Sequence, residues 1–153
     1  MIIESSITLD GPIKEIWEML LDPECLKDCI PGCESVVIQS NGEFEGTVKV
    51  KIGPIKARFK VVLTIVEKQP PVRLISKAVG KDLFKVGRFT QKNQLVLEKL
   101  GTNKTRLTYT SELNISGKIA LFGERIFRAK AKEMEENFLA SLSDILKHRG
   151  QTS

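Results

Sequence analysis

From residue 44 onward, apolar and polar side chains alternate nearly one for one. Phe44, Gly46, Val48, Val50 and Ile52 interleave with Glu45, Thr47, Lys49 and Lys51. After Gly53-Pro54 the pattern resumes, with Ile55, Ala57, Phe59, Val61, Leu63 and Ile65 set against Lys56, Arg58 and Lys60. A period of two predicts half-buried strands of an antiparallel sheet with one wet face. Turn chemistry at Asn41-Gly42, Gln69-Pro70-Pro71, Gly80-Lys81-Asp82 and Gly101-Thr102-Asn103 divides residues 33–115 into about six strands.

The two ends of the chain read differently. Residues 2–9 predict one more strand, with Ile3, Ser5, Ile7 and Leu9 on one side and Glu4, Ser6 and Thr8 on the other. Asp10-Gly11-Pro12 then turns the chain into a short amphipathic helix carrying Ile13, Ile16, Trp17 and Leu20. Asp22-Pro23 opens a second short helix, which Pro31-Gly32 ends. Residues 118–148 predict a helix about 45 Å long. Its apolar face gathers Gly123, Phe127, Ala131, Met134, Phe138, Leu142 and Ile145, and Arg125, Arg128, Lys132, Glu135 and Glu136 fall opposite. The order predicts an α+β fold: a curved seven-stranded antiparallel sheet, two short helices after the first strand, and a long C-terminal helix across the concave face. No repeat, linker or low-complexity tract interrupts it, so residues 1–153 are expected to form one domain.

Composition changes this picture little. With 41% hydrophobic and 28% charged residues, the chain is an ordinary globular sequence. The N-terminus lacks the basic and apolar regions of a signal peptide, and no run nears the roughly 20 apolar residues of a membrane span. The expectation is a cytoplasmic protein, peripheral at the inner face of the membrane if it meets a membrane at all. The sequence stops at Ser153 soon after the helix, so a permanent anchor is not expected. Three cysteines within nine residues, Cys25, Cys29 and Cys33, fit reduced thiols rather than a disulfide framework.

Candidate chemistry is sparse. The cysteine trio lacks a fourth soft ligand, because the single histidine, His148, lies in the last helical turn; buried thiols are expected, with no metal and no cofactor. There is no Gly-x-Ser-x-Gly elbow, no Cys–His pair and no phosphate-binding Gly-x-x-x-x-Gly-Lys, so no catalytic set is expected. The charge does point somewhere. A two-residue turn at Gly53-Pro54 places Lys51 opposite Lys56, Lys49 opposite Arg58 and Thr47 opposite Lys60. Like charges facing across a hairpin cost a few tenths to about 1 kcal/mol per pair. Lys49, Lys51, Lys56, Arg58 and Lys60 therefore form a candidate surface for an acidic protein or an anionic membrane. Interleaved exposed aromatics are missing, which argues against nucleic acid.

Four stretches resemble a known family. They are Ile30-Pro31-Gly32-Cys33; the hairpin Val48-Lys49-Val50-Lys51-Ile52-Gly53-Pro54-Ile55-Lys56-Ala57-Arg58-Phe59; Thr105-Arg106-Leu107-Thr108-Tyr109; and Gly117-Lys118-Ile119-Ala120-Leu121-Phe122-Gly123. With the order of elements, they resemble the carbon monoxide dehydrogenase CoxG family of the START-like, SRPBCC helix-grip superfamily. The resemblance implies an accessory protein of a molybdenum hydroxylase or carbon monoxide dehydrogenase-type enzyme. It implies binding of a lipophilic, quinone- or lipid-like molecule in an internal cavity, or help in placing the enzyme at the membrane. The inward phase then nominates Phe44, Val48, Phe59, Leu63, Phe89, Tyr109, Ser111, Phe127, Met134 and Phe138 as ligand-binding residues. Ser5, Ser76, Gln91 and Asn93 are further sparse polar groups on that face, with the phase of residues 84–97 open to a bulge. Two other readings stand beside this one. A cyclase- or isomerase-type enzyme would need a pocket carboxylate or a perturbed Tyr109, and a structural interaction domain would have a filled core.

Overall fold

The computed structural model describes residues 1–152, with side chains through Arg149. Its strands are β1 (Ile2–Leu9), β2 (Cys33–Ile38), β3 (Phe44–Ile52), β4 (Ile55–Gln69), β5 (Arg73–Asp82), β6 (Arg88–Gly101) and β7 (Lys104–Ser116). Helices α1 (Ile13–Leu20) and α2 (Pro23–Cys29) follow β1, and α3 (Glu124–Thr152) closes the chain. The seven strands form one antiparallel sheet in the order β1-β7-β6-β5-β4-β3-β2. Since β1 and β2 are the two edges, α1 and α2 must carry the chain from one side of the sheet to the other.

That crossing depends on local chemistry. Asp22 caps α2 by accepting the Glu24 N–H at 3.1 Å, and Pro23 supplies a preset first turn. Beyond α2, Gly32 has φ +75°, and a β-carbon there would overlap the Lys49 carbonyl oxygen. The Lys49 N–H donates to the Gly32 carbonyl at 2.9 Å. The Ile30-Pro31-Gly32 piece is thus the weld between the helical crossing and β3.

Three local expectations change. Gly80-Lys81-Asp82 is not a turn; β5 runs through it. Gly80 lies against the Phe89 ring, where any β-carbon would overlap the ring, so the glycine marks close packing rather than a bend. The turn comes later, and the Asp82 carboxylate shapes it by accepting the N–H groups of Arg58, Phe84 and Val86 at 2.7, 3.0 and 3.0 Å. The C-terminal helix also begins later than expected. Lys118–Phe122 form a 3-10 turn, Gly123 breaks away at φ +85°, and α3 starts at Glu124. Lastly, the register of β6 is unbroken from Arg88 to Lys99; the irregularities fall at Cys33/Ser35, Ile65/Glu67 and Lys99/Gly101.

The core is in two parts. One gathers Leu9, Ile16, Trp17, Leu97, Leu107, Leu139, Leu142 and Leu146 around the C-terminal half of α3. The other gathers Ile52, Ala57, Phe59, Ile119 and Phe127 at its N-terminal end.

Candidate functional site

Between the two clusters lies a cavity of about 400 Å³. Its wall is mostly aliphatic and aromatic, drawn from the concave face of the sheet, from Leu26, Ile30 and Pro31 around α2, and from α3. Phe44, Val48, Phe59, Leu63, Phe89, Tyr109, Ser111, Phe127, Met134 and Phe138 all line it. So do Ser76, Gln91 and Asn93, whereas Ser5 is not on the wall. Phe59 and Phe89 meet edge to face with centroids 5.0 Å apart, which fixes one end of the wall.

The polar groups are ordered. Ser111 is in register with Asn93, and Asn93 with Ser76, so three polar side chains form a row across β7, β6 and β5. The Tyr109 hydroxyl donates to Asn93 Oδ1 at 2.9 Å, and Asn93 Nδ2 donates to Ser76 Oγ at 3.4 Å. Burial pushes the Tyr109 phenol up to about 12; the nearby Ser111 hydroxyl counters this and the Glu135 carboxylate adds to it. Ser111 itself is 2% exposed, and its Oγ makes no well-formed hydrogen bond.

Glu135 is the residue that the helical pattern misassigns. Expected on the solvent face, it lines the cavity instead, with Oε1 buried and unpaired. The reason is angular: at about 100° per residue, Glu135 sits one turn beyond Ala131 and one turn before Phe138, at the margin of the apolar face. Burial raises its carboxyl to about 7; Glu136 pushes in the same direction and Lys132 opposes. The spacing from Ala131 and Phe138 was a signal available in the sequence.

The three cysteines sit in different surroundings. Cys25 and Cys29 are buried with sulfurs 3.9 Å apart, and the Cys33 thiol donates to the Ser35 carbonyl at 3.4 Å. Among the described residues, no group of three or more His, Cys, Asp or Glu side chains could hold a metal ion. No helix among them is long and apolar enough to cross a membrane.

On the outer face, Lys51 pairs with Lys56, Lys49 with Arg58 and Thr47 with Lys60, the register that the Gly53-Pro54 turn predicts. Two of the five cations are already engaged. Arg58 holds Glu34 in a two-pronged contact at 2.8 and 2.9 Å, and Lys60 reaches Glu45 at 2.9 Å. Lys49, Lys51 and Lys56 have no ion pair among the described residues. Next to that hairpin tip stand apolar side chains in water: Leu83 and Phe84 are 50% and 66% exposed and Leu121 is 88% exposed. Contacts join these loops, since Gly53 lies beside the Phe122 ring and the Leu83 N–H donates to the Arg58 carbonyl at 2.8 Å.

Comparison with known proteins places the chain. Residues 6–147 match the family of CoxG, the G subunit of carbon monoxide dehydrogenase, and the chain belongs to that family. No curated protein sequence matches significantly. Among solved structures, a conserved protein from Geobacillus kaustophilus is similar at 24% identity with a TM-score of 0.89, covering 97% of this chain and 96% of that one. A START superfamily protein from Mycobacterium smegmatis is similar at 12% identity and TM-score 0.72, with 96% and 97% covered. The Zhui aromatase/cyclase from a Streptomyces species is similar at 14% identity and TM-score 0.73, with 97% and 94% covered. At these identities the likeness is one of fold: the START-like helix-grip architecture.

Proposed function

We propose that this CoxG-family protein binds a small lipophilic molecule, quinone- or lipid-like, in the cavity and serves as a non-enzymatic accessory of a molybdenum hydroxylase-type redox enzyme in the cytoplasm. The observation that carries the reading is the wall itself. Apolar side chains from the sheet and α3 surround a space of about 400 Å³, and a few placed polar groups interrupt them. That is the composition of a small-molecule site. Native mass spectrometry of gently purified protein, followed by organic extraction, tests it. A co-purifying lipophile, or stoichiometric uptake of an added quinone or fatty acid, is expected. A chain that stays empty under both conditions overturns the reading.

The hairpin tip supports docking at an anionic membrane. Lys49, Lys51 and Lys56 supply unpaired positive charge, and Leu83, Phe84 and Leu121 supply apolar side chains able to enter the headgroup layer. Salt-sensitive sedimentation with phosphatidylserine vesicles is expected, and it is lost when Lys49, Lys51 and Lys56 become glutamate. Retained binding in that variant removes the membrane role; binding to an acidic enzyme surface instead would reassign the patch to a protein partner.

One observation favours an enzymatic second reading. Glu135, held at about 7, is a pocket carboxyl suited to proton transfer. Turnover of a bound cyclisable or isomerisable ligand, lost in Glu135→Gln, would establish it.

A further inference from the structure

The Ser111–Asn93–Ser76 row and Glu135 approach the cavity from different sides, the first from the sheet and the second from α3. Their hydrogen-bond inventory does not close. Asn93 is engaged at both ends, by Tyr109 and by Ser76. Ser111 Oγ lies beside the Tyr109 hydroxyl without a well-formed bond to it, and Glu135 Oε1 has no partner; both are buried. An unpaired buried polar atom costs about 1–3 kcal/mol, and such atoms in folded proteins are normally met by water or a ligand. Here both border one cavity.

We propose that Ser111 and Glu135 form a clasp for the polar head of a neutral, carbonyl-bearing amphiphile, with the Glu135 carboxyl donating a hydrogen bond to the carbonyl oxygen. The proposal rests on the reading that the cavity holds a lipophile, and it specifies which kind. Charge selects the class. An ionised fatty acid would bring a second carboxylate beside Glu135. A cationic head would enter a wall whose other titratable groups are Tyr109, Lys130 and Cys33, with Lys132 and Glu136 flanking Glu135 on its own helix. On the wall itself Tyr109 and Cys33 hold their protons, so a cation would face Glu135 alone, with the Glu136 carboxylate off the wall. A neutral carbonyl can accept from both groups, from the Ser111 hydroxyl turned as a donor and from the protonated Glu135. Because the Glu135 carboxyl is raised to about 7, the donor is present in mildly acidic solution and lost in mildly alkaline solution.

The test follows displacement of the neutral dye phenylnaphthylamine by a long-chain methyl ketone (tridecanone), by tridecane and by lauric acid, from about pH 5.5 to about pH 8.5. Ketone affinity is expected to fall up to tenfold across this range, about the worth of one hydrogen bond, while tridecane affinity stays level. Glu135→Gln, whose amide still donates, should bind the ketone as the wild type does at low pH, with no slope. Ser111→Ala should weaken ketone binding severalfold and keep the slope. Lauric acid should bind less tightly than the ketone at neutral pH. A ketone profile that is flat in the wild type, or sloped equally in Glu135→Gln, overturns the clasp; tridecane binding in the same experiment would leave the lipophile reading intact. If neither ketone nor alkane binds, the lipophile reading falls and the clasp falls with it.

Discussion

Replacing Gly32 by alanine should be among the most damaging single-methyl changes in this chain, and Gly42→Ala provides its control. Both glycines have positive φ, +75° and +86°. The left-handed backbone alone costs an L-residue about 1–2 kcal/mol. At Gly42 nothing lies within 4 Å of the position an added methyl would take, so the cost should stop there. At Gly32 the methyl overlaps the Lys49 carbonyl oxygen, a backbone atom that no rotamer can move aside. Relief means drawing β3 away from the loop, with loss of the 2.9 Å bond between the Lys49 N–H and the Gly32 carbonyl. Overpacking of this kind adds about 1–3 kcal/mol, and the lost bond adds roughly 1 more. The expected difference between the variants is about 3 kcal/mol, or roughly 6–12 °C in Tm for a chain of this size. Urea unfolding of both variants measures it. Equal destabilisation, within about 0.5 kcal/mol by the same two-state analysis, would refute the account of the Ile30-Pro31-Gly32 weld. Gly32→Ala should also weaken ligand binding, because Ile30 and Pro31 line the cavity.

Leu142, fully buried in the larger core cluster, should lose about 2–5 kcal/mol on truncation to alanine. Met134→Ala, beside space that is already empty, should cost less than half as much and change ligand affinity instead; the two are separated by pairing urea melts with dye titration. Asp82→Ala strips an acceptor from three backbone N–H groups and should destabilise by roughly 2–3 kcal/mol, seen as a lower urea midpoint. For Glu135 the folded carboxyl, at about 7, lies above its ordinary 4.5, so the folded state holds the proton more tightly. Its contribution is therefore full below about pH 4.5 and is lost as pH rises through about 7. The loss should be about 1–3 kcal/mol after allowing for partial burial, and Glu135→Gln should flatten that segment of the stability–pH curve.

The strands were legible because period two is strict and the Gly53-Pro54 turn fixes register: Lys51 against Lys56 follows from counting alone. The inward phase of β6 was legible for the same reason once no bulge intervened before Lys99. What escaped was anything in which a residue type serves two physical roles. Gly80 reads as a turn, yet it is a strand residue that makes room for the Phe89 ring. Glu135 reads as one of the charged residues opposite the apolar face, yet its own angle puts it at the cavity margin. Gly123 reads as part of the apolar face of the long helix, and its positive φ instead ends the 3-10 turn before α3. The cavity was implied by the family resemblance alone, because alternation reports which side chains point inward and not whether they meet.

Whether they meet is decided by how α3 is held. Phe127 anchors its start in the smaller cluster, and Leu139, Leu142 and Leu146 anchor its end in the larger one. About 18 Å of helix lies between Phe127 and Leu139 at ~1.5 Å per residue, and this span carries Lys130, Ala131, Met134, Glu135 and Phe138 along the cavity wall. A helix fixed at both ends cannot sag into a curved sheet, so a gap beneath its middle is a geometric result of the fold. The polar row lies on the sheet between the same two clusters, where Ser111, Asn93 and Ser76 take positions that larger aliphatic side chains could have filled. Apolar residues there would close the gap and add stability by burial. Ser111 Oγ and Glu135 Oε1, unsatisfied beside that space, are the two groups on which the proposed clasp rests.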